Sequence, residues 1–119
     1  MISCPKPVRY VSEPKRAWIR TLPCLLAHES PCRCGGFINP AIRTFVSEAA
    51  HVRSRGSGGD DTQMVPLCAD HHRRRGDSQH LAGITAFERA HADALDGRTL
   101  KQVARTLHRE WLALEARCA

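Results

Sequence analysis

Aromatic residues are scarce in this chain, with three Phe, two Trp and one Tyr among 119 residues. So few rings argue against a stacking platform for single-stranded nucleic acid, which needs successive aromatic faces. Long apolar runs are lacking too. No segment approaches the roughly 20 apolar residues that cross a bilayer, and the opening MISCPKPVRYVSEPKRAW has no apolar stretch of signal-peptide length. The expected setting is therefore intracellular, with no membrane role. No repeat or low-complexity tract interrupts the chain, so one domain over residues 1–119 is expected. A core of that size is modest, and small domains often recruit a metal to tie it together.

Acidic residues are outnumbered. Lys and Arg total 18 against 12 Asp and Glu, a formal net charge of +6, which favours a polyanionic partner and nucleic acid first. With few rings available, arginine contacts to a phosphate backbone fit better than base stacking. Six cysteines are present: Cys4, Cys24, Cys32, Cys34, Cys68 and Cys118. Three disulfides would suit a secreted chain, whereas a reducing cytosol turns clustered cysteines toward metal.

Residues 1–12 read as an irregular arm. In SEPKRAWIRTL, Ser12 is a candidate N-cap, Pro14 falls in the first turn, Trp18, Ile19 and Leu22 form the apolar set, and Pro23 stops the helix. Residues 24–39, CLLAHESPCRCGGFIN, read as loops around a site. TFVSEAAHV and QMVPLC read as two strands, joined by the glycine-containing RSRGSGGDD. A helical stretch starts at Asp70 and breaks at Gly76, and GITAFERAHADAL is helical up to the Asp96-Gly97 turn. Beyond that turn, residues 98–117 form an amphipathic helix in which Leu100, Val103, Leu107, Trp111 and Leu114 recur at three and four. The expected class is α+β.

Two constellations carry chemistry. Cys24, Cys32 and Cys34 can join Cys68 and His71, which stand at C-x2-H spacing, in a thiolate and imidazole set of the kind Zn²⁺ takes in a tetrahedron. Cys34 is preferred over Cys32 because Gly35 and Gly36 follow it; His28 is a further candidate. The second set is His51, Asp61, His72 and His80. Hydrolysis of a phosphodiester needs a base to deprotonate water, a task for a neutral histidine, and a divalent cation, which imidazoles, carboxylates and water can hold.

AAHVRSRGSGG, then QMVPLCADHH, then HLAGITAFE resembles the HNH, or ββα-metal, endonucleases (also called His-Me finger nucleases), most closely the phage and prophage recombination enhancement function type. The resemblance covers about residues 22–88. It implies a zinc-stapled ββα core over about 22–90 and metal-dependent hydrolysis of DNA. Carried over residue by residue, His51 is the general base, and His72 and His80 are ligands of a catalytic Mg²⁺ or Mn²⁺. Asp61 holds the hairpin or orients the base. Cys68 and His71, with Cys24 and Cys34, are structural zinc ligands, with Cys32 as the alternate. Arg53, Arg55, Arg73 and Arg74 flank the site as backbone-gripping residues. DNA is the implied partner, with a recombination protein as a second.

The chain departs from the family pattern at three places. Ala50 stands where many members have a metal-ligating Asp or His, and Gln63 lies near the position of the family's central Asn. His80 is eight residues after His72, which on an unbroken helix would rotate it about 80° away, so the helix must break near Gly76. These departures motivate an alternative, a zinc-stabilised DNA-binding module with an inactive nuclease site.

Overall fold

The computed structural model describes residues 10–27, 38–39, 44–45, 47–52 and 59–118. The chain is α+β, as expected. Its elements are α1 (Glu13–Arg20), β1 (Ile38–Asn39), β2 (Thr44–Phe45), β3 (Glu48–His51), β4 (Met64–Leu67), a π-helical segment (Asp70–Arg74), α2 (Gln79–Ala82), α3 (Ile84–Ala90) and α4 (Leu100–Cys118). Most of the expected arm, residues 1–9, lies outside the described residues. Among the described residues no helix is long and apolar enough to cross a membrane.

Helix α1 starts where its sequence says it should. The Ser12 hydroxyl accepts from the Lys15 N–H at 3.1 Å, which satisfies one of the donors that the first turn leaves orphaned. Ile19 is its buried apolar contact.

The central sheet is the antiparallel pair β3 and β4, with Ala50 opposite Val65 and His51 opposite Met64. Val52 N–H donates to the Gln63 carbonyl at 2.9 Å. By alternation, Pro66 opposite Ala49 sits at a position whose amide would point away from β3, so the strand loses no ladder bond to its proline. The outward Pro66 carbonyl instead accepts from Leu25 N–H at 3.0 Å. TFVSEAAHV is not one strand: Thr44–Phe45 pairs with Ile38–Asn39 in a second small sheet, and a new strand begins at Glu48. Ser47 stands between them, its hydroxyl bonded to the Leu22 carbonyl at 2.7 Å.

Residues from β3, β4, α3 and α4 share one apolar cluster, including Ala50, Val65, Leu67, Phe87, Leu100 and Val103. The stripe on α4 is split by depth: Leu100 and Val103 are buried, whereas Leu107, Trp111 and Leu114 are half-buried. A reciprocal cap opens α4, with Gln102 N–H on the Thr99 hydroxyl and Thr99 N–H on the Gln102 side chain.

Helix α3 ends at Ala90, five residues before the end of its helical pattern. The chain runs on in turns closed by Gly97 N–H on the Ala92 carbonyl and Asp96 N–H on the Asp93 carbonyl, with Asp96 at φ 54°. This is the double bond of a Schellman ending.

Candidate metal centre and histidine cavity

Cys24 lies just past Pro23, and its sulfur accepts from Leu26 N–H at 3.4 Å. Cys68 follows the end of β4, and its carbonyl takes the His72 N–H at 2.8 Å. That turn brings His71 Nδ1 to 3.3 Å from Cys68 Sγ and 3.8 Å from Cys24 Sγ. All three side chains are buried, and their ligand atoms lie within 4.8 Å of one another. No other such set of three occurs among the described residues.

The pair of sulfurs shares its protons unequally. Hydrogen bonding from the Cys24 thiol, helped by His71, stabilises Cys68 as a thiolate. The same contact, together with burial, holds the Cys24 proton on. Arg75 Nη1 donates to His71 Nε2 at 3.2 Å, which places the ring proton on Nδ1, against the sulfurs. Two sulfurs and an imidazole with a displaceable proton make a soft, buried donor set that could hold a metal ion. Of the other expected ligands, Cys34, Cys32 and His28 lie outside the described residues.

On the other side of the hairpin, His51, His72 and His80 line one cavity of about 370 Å³, with Gln79 and Ile84 among its walls. The chain reaches this arrangement by breaking the helix. The π-helical segment closes with Arg75 N–H on the Asp70 carbonyl at 3.0 Å; the chain then turns at residues 75–78, and Ser78 caps α2 by accepting from Leu81 N–H at 3.3 Å. The His72 and His80 rings thus meet edge to face, with centroids 4.5 Å apart.

His51 is held through Asp61. Its Nε2 lies 2.8 Å from Asp61 Oδ1, and Asp61 also accepts from Ser12 N–H at 2.8 Å, Arg16 Nε at 2.7 Å and Arg16 Nη2 at 3.1 Å. Only 1% of Asp61 is exposed, and burial pushes its pKa up. The Arg16 guanidinium, the Ser12 amide and His51 outweigh burial and hold the carboxyl below the usual range. An ionised Asp61 can only accept, so the neutral form of the His51 ring carries its proton on Nε2 and its lone pair on Nδ1. Behind it lies Lys15, fully buried, with its ammonium on the Asp61 carbonyl and 2.9 Å from His108 Nδ1 of α4. Burial lowers the Lys15 pKa to about 8, against the pull of Asp61 and Asp60.

His72 is held through Glu48, whose Oε1 lies 2.8 Å from Nδ1. This leaves Nε2 as the free ring nitrogen. Burial lowers the His72 pKa, Glu48 opposes that, and His80 and Arg73 add to it. Arg73 is engaged as well, its guanidinium bonded to both Glu48 oxygens at 3.2 and 3.1 Å. Gln79 donates to the His51 carbonyl at 2.9 Å, while its own buried Oε1 has no partner among the described residues.

Sequence reasoning therefore finds side chains that meet: Cys24 with Cys68 and His71, and His51, Asp61, His72 and His80 around the second site. Arg74 is exposed, and Arg53 and Arg55 lie outside the described residues. Glu48 and Arg16 were missed. A carboxylate at the start of a strand and an arginine three residues after Glu13 both read as solvated charge, and only the folded hairpin aims them inward. Ala50 is fully buried in the apolar cluster, so no ligand enters from that position. No family model, curated protein or solved structure matches this chain.

Proposed function

We propose that this chain is a metal-dependent DNA endonuclease of the HNH, or ββα-metal, type, with β3, β4 and the segment carrying His72 as its catalytic unit. One observation carries the reading: three histidines from three different elements line a single cavity, and two of them are oriented by carboxylates. Such orientation fixes the tautomer and sharpens the basicity of the free nitrogen. Structural Zn²⁺ would be held by Cys24, Cys68 and His71, with Cys34 or Cys32 completing the tetrahedron.

In this reading His51 is the general base. With Nε2–H directed at Asp61, Nδ1 accepts a proton from water while the water oxygen bonds to phosphorus and the bond to the leaving sugar oxygen breaks. His72 and His80 would hold Mg²⁺ or Mn²⁺, with waters and a phosphate oxygen as the remaining ligands; the ion supplies Lewis-acid stabilisation of the phosphorane and the leaving oxygen. The test is nicking of supercoiled plasmid with added Mg²⁺ or Mn²⁺. The expected outcome is that His51→Ala abolishes nicking while the circular-dichroism spectrum and the zinc content stay at the wild-type level. Cleavage that persists in this variant would sink the role.

The buried Ala50 favours a second reading, a zinc-stabilised DNA-binding module that binds DNA and cuts nothing. Binding without nicking under every divalent cation in the plasmid assay would select it.

A further inference from the structure

The first turns of α4 carry Lys101, Arg105 and Arg109, one cation every four residues. Successive members are separated by about 6 Å along the axis, so the three span about 12 Å. All are exposed, and none has an ion-pair or hydrogen-bond partner among the described residues. Desolvating such groups against a polyanion breaks no existing contact.

The three cations line a cavity of about 310 Å³, together with Thr62, Gln63 and His108. A second cavity of about 380 Å³ shares Gln63 and Lys101 with it, and shares Val52 and Ile84 with the histidine cavity. The three hollows therefore run on from one another as one groove, from His51 past Val52 and Gln63 to α4. Glu88 lines the middle of this groove, and its carboxylate is committed to the Leu100 N–H at the start of α4. No acidic residue occurs from Leu100 to Arg109.

We propose that Lys101, Arg105 and Arg109 form a docking strip for the phosphate backbone of duplex DNA, which the groove leads into the histidine cavity. The choice of DNA as the polyanion rests on the endonuclease reading; the strip itself rests on charge, exposure and continuity. Contacts of this kind are blind to sequence and set the register of the duplex. They would make α4 the grip and the hairpin the cutter.

The test uses the full chain and a fluorescein-labelled DNA duplex without added divalent cation, with anisotropy read across a salt series. Each phosphate neutralised contributes about 0.9 to the slope of log affinity against log salt, so Lys101→Gln/Arg105→Gln/Arg109→Gln is expected to flatten that slope by about 2.7. Glutamine keeps helix propensity, and a circular-dichroism melt verifies that α4 still folds. Arg105→Lys/Arg109→Lys should keep the wild-type slope, and Arg20→Gln/Arg89→Gln/Arg117→Gln, at positions that line none of the three hollows, should change it far less. If the wild type binds and the strip variant matches its slope, the strip is overturned while the endonuclease reading stands. If the wild type neither binds nor nicks DNA, both fall. Tighter strip-dependent binding of an RNA duplex overturns the assignment to DNA.

Discussion

His71 and His72 are neighbours in sequence but serve two differently built regions. His71 is fully buried against two sulfurs, while His72 keeps 15% of its side chain exposed and faces a carboxylate and another histidine beside an open cavity. The first region is soft, closed and suited to holding an ion for stability. The second is harder, carboxylate-oriented and open to solvent. Adjacent positions separate the two chemistries because neighbouring side chains on a helical turn point about a quarter of a turn apart; the turn that carries both, Asp70–Arg74, is π-helical, a widening that recurs at functional sites.

The comparison breaks most completely on the sulfur side. On the zinc reading, Cys68→Ser is expected to lose the ion and fail to fold, because structural zinc contributes about 10–16 kcal/mol in small zinc modules, comparable to the whole stability of a domain. Zinc content and circular dichroism read it. A well-folded, metal-free variant with wild-type melting would make the sulfur pocket ordinary core.

On the cavity side the largest stability effect belongs to Asp61. Asp61→Asn removes the buried carboxylate that accepts from Ser12 and Arg16, while Arg16 keeps Glu13 at 2.8 Å, and should cost about 1–3 kcal/mol in chemical denaturation at neutral pH. The Asp61 carboxyl is held below its ordinary value, so its contribution is present above the unfolded carboxyl range and is lost as pH falls through the lower, folded value. The gap between wild type and variant should therefore narrow below about pH 4. A gap independent of pH would rule out the charge as its source.

Glu48→Gln tests orientation rather than stability. Because Glu48 is a third exposed, the fold should tolerate the change, while on the endonuclease reading Mn²⁺ affinity measured by calorimetry drops about 10- to 100-fold, as when second-sphere partners of ligand histidines are lost. Unchanged affinity would separate His72 from metal binding. The smallest effect is expected from Ser78→Ala, which removes the cap of the helix that carries His80 and should cost about 1 kcal/mol. On the zinc reading, metal content should not move with it, since the hydroxyl that is removed bonds Leu81 N–H rather than a sulfur or His71.

Much of this arrangement is legible in the sequence where local chemistry decides. Ser12 and Pro14 mark α1, the three-and-four stripe marks α4, and Gly76 with Asp77 and Ser78 marks the break that returns His80 to His72. The remainder is decided by contacts distant in the chain. Nothing local separates β2 from β3, because the partner of each lies elsewhere. The π-helical register also has no local signature in ADHHRRR. The inward aim of Glu48 and Arg16 depends on the β3–β4 register and on α1 lying against that hairpin, and neither is written in their own neighbourhoods.

Asp61 ties the loop before β4 to the start of α1, to Arg16 and to His51. In terms of descent, this makes three positions move as one. A lineage that exchanges Asp61 for a neutral residue leaves the Arg16 guanidinium with Glu13 alone and releases the His51 ring in the same step. Related chains should therefore keep Arg16, His51 and Asp61 together or lose them together, whatever else has drifted around them.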